Sequence, residues 1–121
     1  MPELLNINNF NRLYRRTIKR VGVTGTTEYL KLNRVPAGKV RVLSHVTVEN
    51  LTTALTKCRL GIDHSGVIHY LDEIQTVAIA ELLVSRSDIL LGEGDRFFAE
   101  LTGTIVNATL IMTCVGWDQN L

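Results

Sequence analysis

Three histidines are the first residues that could do chemistry: His45, His64 and His69. His64 and His69 flank a Gly-containing turn, with Asp63 and Asp72 close by in sequence. A metal centre needs three or four converging ligands. The His-x-His pair with a following acidic residue, usual in double-stranded β-helix metal enzymes, is absent. The spacing therefore reads as a solvated turn residue and an exposed strand residue. Cys58 and Cys114 would need a histidine or a helix N-terminus beside them to act as nucleophiles, and the sequence offers neither. Both fall on the apolar side of alternating segments, which predicts packed, reduced thiols. Gly92-x-Gly94 completes neither a dinucleotide fingerprint nor a Walker loop, so it reads as a turn. Asn50-Leu51-Thr52 and Asn107-Ala108-Thr109 match the glycosylation pattern, which has meaning only in a secreted chain. No catalytic set emerges, and the sequence calls for no cofactor and no metal.

Charge and aromaticity offer binding chemistry instead. Arg12, Arg15, Arg16, Lys19 and Arg20 form a local basic run. It could meet an acidic protein surface, or it could be a solvated face. With 13 Lys and Arg against 12 Asp and Glu the net charge is +1, so nucleic acid is not the expected ligand. Carbohydrate-binding sandwiches place several aromatics on one face. Here Phe97 and Phe98 are adjacent and must point to opposite faces of a strand. One belongs to the core, which leaves the other exposed or buried at an interface.

The elements that position these groups are strands. Lys39 to Glu49 alternates with period two: Val40, Val42, Ser44, Val46 and Val48 on one side, Arg41, Leu43, His45, Thr47 and Glu49 on the other. Thr104 to Trp117 also alternates, with Val106, Ala108, Leu110, Met112 and Cys114 facing one way. Ile105, Ile111, Val115 and Trp117 face the other, so this strand is apolar on both sides and needs a cover on each. Further strands are expected at 16–23, 27–32, 54–62, 67–71, 76–84, 89–91 and 96–101. Residues 75–83 could locally form a helix, but the segment lacks a cap and sits among strands. Turns fall at 24–26, 36–38, 63–66 and 92–95. Eight to nine short strands at spacings of about 8 to 12 residues predict an all-β fold, an antiparallel, jelly-roll-like β-sandwich.

The chain has 121 residues, 45% hydrophobic and 21% charged, enough for a single core without disulfides or metal. No apolar run is long enough for a membrane-spanning helix. The N-terminal stretch lacks the features of a secretory signal, so synthesis in a reducing cytoplasm is expected. Residues 1–14 read as an arm and 15–121 as the sandwich domain. Leu4, Leu5, Ile7, Phe10 and Tyr14 are interrupted by Asn6, Asn8, Asn9 and Asn11, which suits a segment that orders on a neighbour.

Three stretches together resemble small β-sandwich virion proteins of tailed bacteriophages. They are Val35-Pro36-Ala37-Gly38-Lys39-Val40 running on to Val48-Glu49-Asn50, Ile89-Leu90-Leu91-Gly92-Glu93-Gly94-Asp95-Arg96, and the closing strand Gly103 to Thr113. The resemblance covers residues 35 to 115. It implies a non-enzymatic structural protein of the cement or decoration type, bound to an assembled capsid in the virion after synthesis in the host cytoplasm. The implied partners are its own copies, as a trimer, and the major capsid protein or another virion protein. A head–tail connector, collar or tail component is the alternative, and a carbohydrate- or receptor-binding module the third reading. The interface residues expected on this reading are Leu4, Leu5, Ile7, Phe10, Arg12, Tyr14, Arg15 and Arg16 of the arm, with Ile105, Ile111, Val115 and Trp117.

Overall fold

The computed structural model describes residues 10–23, 26–85 and 88–120, with side chains from Leu13 onward. Nine strands form among them: β1 (Phe10–Val21), β2 (Thr27–Lys31), β3 (Lys39–Asn50), β4 (Leu55–His64), β5 (Val67–Val77), β6 (Leu83–Ser85), β7 (Ile89–Leu91), β8 (Arg96–Thr102) and β9 (Thr109–Asn120). Two antiparallel sheets result. The first runs β1-β9-β3-β6, with β7 also on β3; the second runs β2-β8-β4-β5. The fold is the expected all-β sandwich. Its core lies between the sheets and is built from strand residues such as Leu30, Leu43, Phe97, Leu101, Leu110 and Met112, each fully buried. Alternation makes this possible, because each strand gives one apolar side to the interior.

The turns follow the local chemistry. Ser65 and Gly66 both take positive φ, 51° and 87°, between the paired residues His64 and Val67. Two left-handed residues in a two-residue loop match the right-handed twist of the flanking strands. Asp63 holds this loop by accepting the Gly66 N–H at 2.8 Å.

Several expectations are corrected. β1 begins at Phe10, inside the segment expected to be an arm, and pairs with β9 from Phe10↔Gln119 to Val21↔Thr109. Leu4, Leu5 and Ile7 lie outside the described residues. Phe10 and Arg12 sit on the backbone of β1. Residues 76–84 are not one strand: β5 ends at Val77, and the left-handed φ of Thr76 and Ala80, both 58°, turns the chain before β6. β9 starts at Thr109, not 104. Asn107 at φ 68° and the Ala108 N–H to Ile105 carbonyl bond make a turn there. Ile105 therefore lies in a turn, 47% exposed, and does not share a strand with Ile111, Val115 and Trp117.

The faces of β3 also differ from simple alternation. Leu43 pairs with Gly116 but His45 with Val115, so Ser44 is an extra residue in a bulge. A bulge shifts the side-chain phase by one. Leu43, Val46 and Val48 consequently all point into the core, while Val42 faces outward opposite Trp117. On β9 the expected division holds. Leu110, Met112 and Cys114 are fully buried on the inner side, and Ile111, Val115 and Trp117 are half-buried on the outer one.

Candidate functional site

The outer face of the second sheet carries a cluster that no single strand shows. Lys31, Phe98, Gly61 and Tyr70 stand in one row across β2, β8, β4 and β5. Tyr29, Glu100, Arg59 and Glu73 form the next row. Directly paired residues point to the same side of a sheet, so all these side chains share the face.

β8 explains why the cluster forms. Its inner residues Phe97, Ala99 and Leu101 are fully buried in the core, which commits Phe98 and Glu100 to the outside. Phe98 is nonetheless only 3% exposed. Tyr29 and Tyr70 flank it, with ring centroids at 6.3 Å and 6.1 Å, the first tilted and the second edge-on. Both distances lie in the favourable range for aromatic pairs. Gly61 gives the ring its bed: a Cβ there would stand 2.8 Å from the tip of Phe98 and 2.8 Å from the His69 carbonyl. Expectation and structure thus agree that Phe97 and Phe98 divide between the faces. The cover over Phe98, however, comes from this chain's own tyrosines.

Polar groups fix the tyrosines. The Tyr70 hydroxyl donates to Glu100 Oε1 at 2.9 Å. The Arg59 guanidinium lies 4.7 Å over the Tyr70 ring, and Lys31 Nζ lies 5.4 Å over that of Tyr29. Arg59 also donates to Glu73, whose second oxygen accepts from Gln75 at 2.8 Å. Hydrogen bonds from Gln75 and then Arg59 hold the Glu73 carboxyl below its usual range. Burial, and after it the Glu100 charge, raises the Tyr29 hydroxyl. Tyr29, Lys31, Asp63, Ile68, Tyr70 and Phe98 line a hollow of about 200 Å³. Tyr29 and Tyr70 remain 42% and 47% exposed at its walls. The hollow offers aromatic walls, one carboxylate acceptor in Asp63 and one cationic donor in Lys31 to a small ligand at the surface.

The residues singled out in sequence gather elsewhere. The basic run divides, because β1 alternates: Arg15 and Lys19 stand on the outer face with Val115 and Ile111 as neighbours, whereas Arg16 and Arg20 pair with Cys114 and Leu110. Arg20 bridges to the buried Glu28 of β2 at 3.1 Å and so links the two sheets. Tyr14 packs against the core under Arg41. His64 Nδ1 meets Asp95 Oδ1, tying the β4–β5 loop to the turn before β8. His69 is exposed on β5, and His45 lies on the outer face of the first sheet. Among the described residues no group of three or more His, Cys, Asp and Glu stands ready for a metal. Asn50 is buried and turned inward to cap the following loop, its Oδ1 accepting from the Thr52 N–H at 2.9 Å. Tyr29, Tyr70, Lys31, Arg59 and Glu100 were not singled out in the sequence. The one available signal was the Phe97–Phe98 pair, which places an aromatic on the outer face but does not say what surrounds it.

No family model and no curated protein matches the sequence. Among solved structures, a carbohydrate-binding module of the CBM4 type aligns with 87% of this chain and 84% of its own, at 10% identity and a TM-score of 0.38. The carbohydrate-binding module TmCBM61, solved with β-1,4-galactotriose, aligns with 97% of this chain and 92% of its own, at 11% identity and a TM-score of 0.37. Both are carbohydrate-binding modules and neither is a virion protein; at these scores no function passes from them to this chain.

Proposed function

We propose that this chain is a non-enzymatic binding module whose outer face on the second sheet takes a carbohydrate. The observation that carries the reading is the Tyr29–Phe98–Tyr70 cluster around its hollow. A sugar ring presents apolar C–H faces and a rim of hydroxyls. Aromatic walls suit the first, and fixed carboxylates with nearby cations suit the second. Asp63 supplies an acceptor and Lys31 supplies donors, while the buried Glu100 holds the Tyr70 hydroxyl from behind. Asp63 is already oriented by the Gly66 N–H and by Arg34 Nη2 at 3.1 Å, so little ordering remains to be done on binding. A glycan array followed by calorimetry tests the reading. Wild type should bind at least one oligosaccharide class, and Tyr70→Ala, at an exposed ring, should weaken it about tenfold with the fold intact. A protein that binds no glycan on the array sinks the proposal.

A virion structural role is the second reading, and one observation favours it. Leu13, Trp117, Val42 and Leu90 form an apolar row across four strands of the first sheet's outer face. A face of this kind suits a protein that works in a multicopy assembly, as a cement or decoration protein or a head–tail component. Quantifying the chain in purified phage particles decides this reading: hundreds of copies support a shell role, few copies a neck or tail role, and none removes it.

A further inference from the structure

We infer that the outer face of the first sheet is a self-complementary surface on which two copies of this chain pair about a two-fold axis running along β9. β9 lies centrally, with β1 on one side and β3 on the other. Its outward residues Ile111, Val115 and Trp117 are half-buried. Leu13 and Leu90, at the two ends of the Trp117 row, are 64% and 67% exposed. Val42, between them, is only 5% exposed, so the exposed apolar area sits at the two ends of the row and over the half-buried Ile111, Val115 and Trp117. Exposed apolar side chains grouped on one face mark an interface.

The identity of the partner follows from how the rows repeat. A two-fold axis in the interface, parallel to β9, carries the β1 side of one copy onto the β3 side of the other and leaves each row at its own height. Trp117 and Val115 then meet their own counterparts, and the Val115 row sets Arg15 of one copy beside His45 of the other, a pairing without charge complementarity. Leu13 meets the Val42 and Leu90 end of the same row. Thr17 meets Thr47 through a row of three threonines. At the far end the row is Lys19, Ile111, Glu49. The same operation sets Lys19 of one copy against Glu49 of the other, twice. Opposite charges flanking Ile111 make this row complementary to its own two-fold copy, which is the property an isologous interface uses. Stacked sheets cross at about 30°, which displaces these ends by roughly one strand spacing, a distance both side chains can span.

The face is large enough. Four strands at about 4.8 Å and nine residues at about 3.4 Å give roughly 600 Å² per copy, so a pair covers somewhat more than the 1,000 Å² or so that a specific interface needs. A two-fold face closes on itself, so the product is a dimer, in place of the trimer expected from sequence. It leaves the aromatic hollows of both copies on opposite outer surfaces, available together to a multivalent ligand.

Sedimentation velocity on the full chain, across nanomolar to tens-of-micromolar concentration, tests this. Wild type should dimerise. Lys19→Glu and Glu49→Lys should each raise the dimer dissociation constant about tenfold or more, and the double charge swap should restore it to near wild type. Leu13→Glu, at an exposed edge position, should also yield monomer, and melting curves of all four variants should stay near wild type. A wild-type monomer, a trimer, single reversals without effect, or a double swap that stays dissociated each overturns the inference. Glycan binding is measured per chain and on the opposite sheet, so its failure is separate from a failure to pair.

Discussion

At one end of the sandwich Arg41 carries its charge into the interior. Its Nε and Nη2 donate to the two oxygens of Asp118 at 2.8 and 3.2 Å, and both side chains are about 5% exposed. The guanidinium also stacks 3.9 Å over Tyr14 and donates to the Asn33 carbonyl at 3.4 Å. One side chain thereby joins β1, β3, β9 and the loop before β3. Burial raises the Tyr14 hydroxyl above its ordinary value, against the opposing pull of Arg41. A fork-on-carboxylate pair recovers much of the cost of burying two charges, whereas removing one partner strands the other. Asp118→Ala should therefore cost about 3–5 kcal/mol in urea unfolding, and replacing both residues by apolar ones of similar size should cost less. A single-variant loss below about 1 kcal/mol would show that water or another group takes over the charge. Arg41 was legible in sequence only as an alternating polar residue beside His45. The Ser44 bulge, whose position no local propensity announces, put the two on opposite faces.

Among the elements, β4 and β9 are shaped by glycines that face a neighbouring strand. A Cβ on Gly116 would stand 1.7 Å from the Val42 carbonyl, opposite the bulge in β3. A Cβ on Gly61 would strike the Phe98 ring and the His69 carbonyl. Gly61→Ala should thus push Phe98 outward, cost about 1–3 kcal/mol, and, on the proposed carbohydrate-binding reading, abolish that binding even where the protein remains folded. Thermal melting with parallel calorimetry checks this. Retained binding at wild-type affinity would separate the ring's position from the site. Strand existence was readable from period two along most of the chain. Strand ends at 77 and 109 were not: Thr76 and Ala80 take a left-handed conformation that their side chains do not favour, and Asn107, which tolerates it, sits in a segment whose alternation continues through it.

For the molecule as a whole, each sheet contributes one buried thiol to the interior: Cys58 from β4 and Cys114 from β9. Burial pushes both up to about 12 from 9.0, with the Asp72 and Glu100 charges adding to the effect at Cys58 and Arg41 opposing it at Cys114. The sign follows from linkage. Below pH 9 both states keep their thiol protons. Between about 9 and 12 the unfolded thiols ionise and the folded ones do not, so stability falls as pH rises. The urea midpoint should drop through that window, and the drop should be shallower in a Cys58→Ala, Cys114→Ala protein. Equal slopes would assign the alkaline loss to other groups. Few thiols should react with a thiol reagent in the native protein, and both should react once it is unfolded.

What the chain determines alone is the two-sided alternation, the Ser65–Gly66 turn, the apolar character of both sides of β9, and the division of Phe97 from Phe98. These depend on neighbours within a few residues, where backbone sterics and side-chain period decide the outcome. Tertiary structure decided which strands lie side by side. That choice extended the strand expected at 16–23 back to Phe10, as β1 against β9, when Asn-rich composition suggested a free arm up to residue 14. It split Arg15 and Lys19 from Arg16 and Arg20 between the two faces of β1, and it brought Tyr29, Tyr70, Arg59 and Glu100 around Phe98 from four strands spread over seventy-odd residues. Pairing between distant strands is selected by the burial of whole faces, a sum over many residues that no local stretch contains.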